Sequence, residues 1–481
     1  MSHIFFAKKF IAVYLKVCYN ILCIRLFKDG YRYNCSAVSV YAPLCGIYVS
    51  AKVMFVNYCE AMSYIESFSK LGKPVSSLAR FEKIMAALGN PQKEMNFVHV
   101  AGTNGKGSTV RMIAETLTRS GYRTGEFTSP YIRVYNDRIR IDGVNISDAE
   151  LAEIITQIRP IIDDLSTDCS QFEITTAIAF IYFKAKKCSI VVMETGLGGL
   201  LDCTNIIEKP CVSVITSISL DHTAILGDTV EKIARHKAGI IKQGCPVVTA
   251  PSQSKEAYAV VYRTAAQFGS KLVTPNLSRL IIRNCGHTGN SFTYRRLNYK
   301  TSMVGRHQID NALTAVETLR ILKKRGFGRI FYPHIYSGIK YAEVPSRCQI
   351  IRGDKPFVMI DGAHNPDGMK ALADFIRTVP KAPKIMVCGM MSNKDWKTSI
   401  GYISRYIDRA VCLDGFSQNT VFAPRLAEMF SEGEVSNLRD AVSRAVTLAG
   451  TDGMVVIAGS LYLAAALQTH GELENIDDEI E

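Results

Sequence analysis

Residues 97–109 read Phe-Val-His-Val-Ala-Gly-Thr-Asn-Gly-Lys-Gly-Ser-Thr, an apolar run, then three glycines with one lysine, then the start of a stretch with helical apolar spacing. The chemistry such a segment supports is the holding of polyphosphate. Gly102, Gly105 and Gly107 let the backbone bend and bring amide N–H groups close to phosphate oxygens, and Lys106 adds a point charge. A helix beginning near Ser108 offers unpaired donors and a favourable dipole. A nucleotide is therefore the expected ligand of Gly102, Thr103, Asn104, Gly105, Lys106, Gly107 and Ser108. The spacing is not the usual Gly-x-x-x-x-Gly-Lys-Ser/Thr, because Gly102 stands only three residues before Gly105 and Gly107 separates Lys106 from Ser108. A mere flexible turn leaves the flanking strand and helix patterns unexplained.

The elements that must position this loop can be followed along the chain. Helices are expected over 58–68 and 78–88, ahead of the Gly89-Asn90-Pro91 break, and the strand Phe97–Ala101 follows. Val110, Ile113, Ala114 and Leu117 fall on one helical face that Gly121 ends. Ser147 and Glu150 form a capping box for a helix whose apolar face is Leu151, Ile154, Ile155 and Ile158. The runs 189–193 and 212–218 are apolar without alternation, which implies strands buried on both faces of a parallel sheet. Ligands of such sheets sit at the carboxyl ends of strands, where Glu194, Asp221 and His222 fall.

Strand and helix patterns alternate again from Phe357, with strands expected over 357–360, 385–388, 410–413 and 454–457. Helices are expected after Pro366, from Asp395, over 438–448 and from Ser460. The fold class is thus α/β with two doubly wound domains, the first a P-loop-type ATPase domain with a mostly parallel sheet, the second smaller and Rossmann-like. The join is expected near Glu343-Val344-Pro345-Ser346, after a long helix over 309–324 and a looser stretch. The expected boundaries are 1–53, 54–343 and 344–481.

The 481 residues are 47% hydrophobic and 21% charged, which excludes a disordered chain and fits a two-domain enzyme. The net charge of +13 suits anionic partners, but much of it lies in residues 1–53, where Lys8, Lys9, Lys16, Arg25, Lys28, Arg32 and Lys52 face Asp29 alone. No basic stripe interleaved with aromatics appears, so nucleic acid is not an expected partner. The fourteen cysteines are scattered without Cys-x-x-Cys spacing, which points to free thiols in a reducing cytoplasm. Lysines interrupt the apolar run over 4–24, so no stable membrane insertion is expected. Three readings of residues 1–53 stand: a mis-assigned start with Met54 as first residue, which is preferred, a membrane-touching arm, or a structured extension.

From Met54 onward the ordered motifs resemble the folylpolyglutamate synthase and dihydrofolate synthase family, ATP-dependent amide ligases related to the Mur ligases. Beside the loop, the landmarks are Thr128-Ser129-Pro130, Glu194-Thr195-Gly196-Leu197-Gly198-Gly199, Asp202-Cys203-Thr204-Asn205, Leu220-Asp221-His222, Lys237-Ala238-Gly239, Gly305-Arg306-His307-Gln308 and Asp361-Gly362-Ala363-His364-Asn365-Pro366. Eight short motifs in this order do not arise by chance as any one of them would. The resemblance implies addition of L-glutamate to a folate, and to dihydropteroate, through an acyl phosphate, with release of ADP and phosphate. It implies a monomer.

The same resemblance implies ATP held by the glycine loop together with Asn311, Arg347, Asp361 and His364. Mg²⁺ is implied on Ser129, Glu194 and His222, and Lys237 is implied to carry a carbamate that supplies an oxygen to a second Mg²⁺. Lys106, Lys237 and His222 are the implied catalytic residues. Taken alone, His222 reads equally as a rim histidine and Lys237 as a solvated helix lysine. Phosphoryl transfer between anions asks chiefly for positioning and charge neutralisation, which a loop lysine and Mg²⁺ ligands supply. Leu200 stands where the family carries a basic residue, Ser346 where it carries glycine, and Asp137 where glutamate is frequent. Two other readings remain: a Mur-type peptide ligase, and a relative that binds nucleotide or folate without catalysis.

Overall fold

The computed structural model describes residues 38–42, 47–51, 56–69, 77–165 and 168–469. The chain divides into two units, residues 1–57 and 58–481. Within the first, Val38–Ala42 and Ile47–Ala51 pair as an antiparallel hairpin. The expectation of an apolar arm over 4–24 lies outside the described residues.

The second unit is built on two large sheets. The eight-stranded sheet runs, in spatial order, Leu272–Val273, Val247–Thr249, Val212–Ile215, Phe97–Ala101, Ile190–Glu194, Thr124–Phe127, Ile139–Ile141 and Val144–Asn145. Its strands pair in parallel except at one edge, where Ile139–Ile141 and then Val144–Asn145 each pair antiparallel with the strand before. Its central strands are buried along their whole length, which matches their unbroken apolar sequence. Each fully buried Val, Ile or Phe there contributes roughly 1.5–3 kcal/mol of transfer free energy. The helix Lys106–Arg119 presents Val110, Ile113, Ala114 and Leu117 to this core, together with the long helix Arg306–Lys324. The capping box at Ser147 forms, with the Glu150 amide donating to Ser147 Oγ and the Ser147 amide to Glu150 Oε2.

The six-stranded sheet runs Gln349–Gly353, Phe357–Ile360, Met454–Ala458, Lys384–Cys388, Arg409–Cys412 and Gly433–Val435, parallel except at its first strand. Cores lie on both of its faces, one against the helices Pro366–Ile376 and Trp396–Ile403, the other against Ala441–Ala449 and Leu461–Thr469. This is the doubly wound α/β architecture expected from the sequence.

Several elements were not expected, among them the strands Thr124–Phe127 and Val247–Thr249, the helices Gln171–Ala185 and Lys255–Gln267, and the following two features. A three-stranded antiparallel sheet, Leu280–Gly286, Gly289–Tyr294 and Leu297–Thr301, packs Phe292, Tyr294 and Tyr299 onto the first core. Its first strand is largely exposed and therefore carries no apolar alternation to read. The looser stretch before residue 343 holds a helix, Tyr332–Tyr341, disguised by Pro333 in its first turn and by Gly338.

The strand leading into the glycine loop carries a buried histidine. His99 Nε2 lies 2.8 Å from Thr204 Oγ1, and its Nδ1 has no hydrogen-bond partner. Burial, and then the Lys242 charge, lower its pKa from 6.5 to about 3, so the folded protein keeps it neutral. An unfolded chain protonates this ring below about pH 6.5. The stability it contributes is therefore complete above that pH and is lost on acidification, by about 1.4 kcal/mol per pH unit down to about 3. Denaturant titrations near pH 7.5 and near pH 5 should show the wild type losing about 2 kcal/mol more than His99→Gln. Equal losses in the two proteins would contradict this.

Candidate active site

Carboxyl ends of strands from both sheets face one cavity of about 210 Å³. From the first sheet, Phe97–Ala101 leads into the glycine loop, Ile190–Glu194 ends on Glu194, and Val212–Ile215 leads to Asp221 and His222. From the second, Phe357–Ile360 leads into Asp361–Asn365. Gly102, Thr103, Asn104, Gly105, Lys106, Gly107, Ser108, Ser129, Glu194, His222, Lys237, Asn311, Arg347, Asp361 and His364 all line this cavity. Every site residue expected from the sequence is thus brought to one place.

The loop owes its path to two glycines in conformations that other residues rarely adopt. Gly102 has φ +155°, and a Cβ there would lie 1.8 Å from Thr216 Oγ1. Gly105, at φ +84°, is the N-cap of Lys106–Arg119 and provides no side-chain cap, which leaves the first amides of that helix open to a ligand. The Thr103 amide donates to Ser217 O at 2.7 Å and its hydroxyl to Ser219 O at 3.0 Å, tying the loop to the neighbouring strand's end.

Lys106 does not stand free in solvent. Its Nζ donates to Thr103 O at 3.2 Å and lies 3.8 Å from Glu194 Oε1, with the side chain only 17% exposed. Burial pushes the Glu194 carboxyl upward, while Lys106 and the Ser129 amide, 3.3 Å from Oε2, oppose that shift. Lys237 is buried on the helix Val230–Ala238 and donates to Gly102 O at 2.7 Å. Burial, and next the Lys106 charge, lower its pKa to about 7. It is not the solvated helix lysine of the blander reading.

The two sheets' loops also bind each other across the cleft. Asn104 Nδ2 donates to Asp367 Oδ2 at 2.9 Å, and Asn365 Nδ2 donates to Asn104 Oδ1 at 3.1 Å and to Asp221 Oδ2 at 3.0 Å. Lys394 Nζ reaches Asp221 Oδ1 at 2.6 Å and His222 Nε2 at 3.1 Å. Although burial opposes it, the hydrogen bond and charge of His364 and the charge of Lys394 hold Asp221 well below the usual carboxylate range. Burial, and then Lys394, lower His222 to about 4. Asn365, Asp367 and Lys394 were missed as site residues. Lys394 follows the strand Lys384–Cys388, and its position beyond a strand's carboxyl end is the signal that could have found it.

Asp361 Oδ2 accepts the Cys348 amide at 2.6 Å and Oδ1 the Ala363 amide at 2.8 Å, so its carboxylate shapes the loops that carry Arg347 and His364. Ser346 has φ +54°, a conformation that favours the family's glycine there. Gln468 Nε2 donates to its hydroxyl at 3.2 Å. Asp137 accepts the Arg133 amide and the Asn145 side chain, both at 2.9 Å. Leu200 is 47% exposed and offers no charge beside the Gly196–Gly199 turn.

Among the described residues no group of three or more His, Cys, Asp and Glu side chains could hold a metal ion. The candidate set of Ser129, Glu194 and His222 combines a hydroxyl, a buried carboxylate and an imidazole. Such a donor set fits a hard cation that completes its shell with phosphate oxygens and water. Turning His222 Nε2 to a cation requires Lys394 to withdraw from it.

A glycine-loop domain and a second parallel-sheet domain share one cleft, and both match domains of the Mur-type ligases. The Mur ligase middle domain matches residues 100–319 and the Mur ligase, glutamate ligase domain matches residues 346–461. More narrowly, the chain belongs to the folylpolyglutamate synthase/dihydrofolate synthase family. It is 35% identical over 437 residues to the dihydrofolate synthase/folylpolyglutamate synthase of Bacillus subtilis (strain 168), covering 86% of this chain and 99% of that protein. It is 34% identical over 435 residues to the folylpolyglutamate synthase of Lacticaseibacillus casei, covering 86% and 98%. The structure of E. coli FolC in complex with DHPP and ADP superposes with a TM-score of 0.77 at 27% identity, covering 89% of this chain and 99% of that one.

Proposed function

We propose that this chain uses ATP to join L-glutamate to the carboxyl group of a folate, and of dihydropteroate, releasing ADP and phosphate. What supports the reading is that the glycine loop, the Glu194 and His222 strand ends and the Asp361–Asn365 loop line a single cavity. The γ-phosphoryl group passes from ATP to a carboxylate oxygen of the acceptor, giving an acyl phosphate. The glutamate amine then attacks the carbonyl carbon, phosphate leaves with the C–O electron pair, and the amine loses a proton.

In this reading the open amides at Gly105–Ser108 and Lys106 hold the β- and γ-phosphates, and Arg347, half-buried on the opposite wall, stabilises the transferring charge. Asn311 and His364 orient the nucleotide, and Asp361 fixes the loops around it. Mg²⁺ on Ser129, Glu194 and His222 would neutralise phosphate charge when bound. The domain limits 54–343 and 344–481 place the cleft at their join. We propose a cytoplasmic monomer, which gel filtration and cell fractionation test; among the described residues no helix is long and apolar enough to cross a membrane.

With its pKa near 7, Lys237 spends much of its time as a neutral amine at neutral pH, the form that adds CO₂ and sheds a proton to give a carbamate. Native mass spectrometry in bicarbonate buffer should show one added CO₂ in the wild type and none in Lys237→Arg, which should also lose turnover. Unmodified, fully active wild-type protein would contradict the carbamate.

The test of the function is turnover. Purified protein with ATP, L-glutamate and either tetrahydrofolate or dihydropteroate should release ADP in step with a glutamate-extended product. ADP release with neither acceptor would overturn the proposal.

A further inference from the structure

Arg347, assigned above to the transferring charge, stands between two residues whose backbone conformation neither of them favours. Ser346 has φ +54° and Cys348 φ +44°, the left-handed region that glycine enters freely and most other residues avoid. Such a turn persists only where its surroundings hold it. Some of the ties come from neighbouring loops: the Ser346 amide donates to Gln349 Oε1 at 2.9 Å, the Ser346 carbonyl accepts the Gly362 amide at 2.7 Å, and the Cys348 amide donates to Asp361 Oδ2 at 2.6 Å. A glycine at 346 would keep all of these. It would lack the remaining one, in which Gln468 Nε2 donates at 3.2 Å to the hydroxyl of the fully buried Ser346.

Gln468 belongs to the last turn of the helix Leu461–Thr469 and is not among the residues that line the cavity. Its amide is oriented from the other side of the cleft. Arg133 Nε, which can only donate, meets Gln468 Oε1 at 3.2 Å, and this leaves the Nε2 end for Ser346. One side chain thus joins the loop that carries Arg133 to the residue before Arg347. The guanidinium itself runs close over the backbone, since a Cβ on Gly362 would lie 3.2 Å from Arg347 Nη1. A group packed so closely has little room to regain its place if the turn relaxes, and a displacement of about 1 Å costs a reacting group much of its effect.

We infer that Gln468 is a positioning residue for Arg347, gripping the Ser346–Cys348 turn by the serine hydroxyl so that the guanidinium faces the nucleotide's phosphates. This deepens the proposed function and rests on it for the role of Arg347. It also gives the serine a use: the hydroxyl is the handle by which the last helix holds a turn that glycine would leave looser.

Calorimetric titration of a non-hydrolysable ATP analogue with Mg²⁺ tests this on Gln468→Leu, Arg347→Met and the double variant, a readout that needs neither acceptor nor turnover. Gln468→Leu should weaken binding roughly 3- to 10-fold, as the loss of one hydrogen bond does. In the Arg347→Met background the same change should shift affinity by less than about twofold, because the group it positions is gone. A merely structural role would weaken both proteins alike. Ser346→Gly suits φ +54°, so it should unfold within a few degrees of wild type and still lose affinity by the same factor as Gln468→Leu. Gln468→Glu, whose carboxylate can accept from both the serine hydroxyl and Arg133, should recover most of the affinity. Unchanged affinity in folded Gln468→Leu or Ser346→Gly, or an equal loss with and without Arg347, would overturn the assignment. Wild type and variants that follow the expected pattern yet ligate nothing would sink the proposed function and leave this positioning role standing.

Discussion

Lys106→Ala should lower kcat for ATP-dependent ligation roughly 10²- to 10⁴-fold, the range for removing one positioned charge from a phosphoryl-transfer site. The structure also sets what happens to the fold. Lys106 is mostly enclosed and is the first group that offsets the burial of Glu194, so its loss leaves that carboxylate without its counter-charge. A destabilisation of roughly 1–3 kcal/mol is expected, met partly by protonation of Glu194. Adding Glu194→Gln to Lys106→Ala should recover stability and not turnover. A Lys106→Ala protein that turns over normally would show that the phosphates bind elsewhere.

Gly102→Ala should be nearly as damaging, by a different route. The new methyl would meet Thr216 Oγ1 at 1.8 Å and Thr216 Cβ at 2.9 Å, and Thr216 is completely buried. The loop must move, and with it the Gly102 carbonyl that holds Lys237 and the amides that face the phosphates. The KM for ATP is expected to rise at least about tenfold and stability to fall by roughly 1–3 kcal/mol, as in other overpacked sites. Thr216→Gly in the same chain removes the colliding atoms, and partial return of ATP affinity would show that the collision is the cause. Normal ATP affinity in Gly102→Ala would contradict the loop geometry.

Burial on both faces and phosphate binding leave a pattern in the sequence, whereas long-range contacts do not. The strands Phe97–Ala101 and Ile190–Glu194 were legible because burial on both faces demands an unbroken apolar run, and the loop because phosphate binding demands glycines beside a lysine. The sheet beginning at Leu280–Gly286 was not, since an exposed strand leaves no pattern. The enclosure of Lys106 and the contacts of Lys394 with Asp221 and His222 depend on chain ends brought together from far apart. Spacing along the sequence carries no trace of that. Ser346 shows the opposite case, a departure from the family's glycine whose cost only the positive φ reveals. Leu200, half-exposed beside the turn, is a departure that nothing in the structure explains.

Both domains should hold one nucleotide at once. A crystal structure with a non-hydrolysable ATP analogue and Mg²⁺ tests it most directly. The phosphates should lie on the Gly105–Ser108 amides, the metal beside Glu194 and Ser129, and the rest of the nucleotide between Asn311 and the Arg347–His364 wall. An analogue bound wholly within one domain, away from either wall, would contradict it.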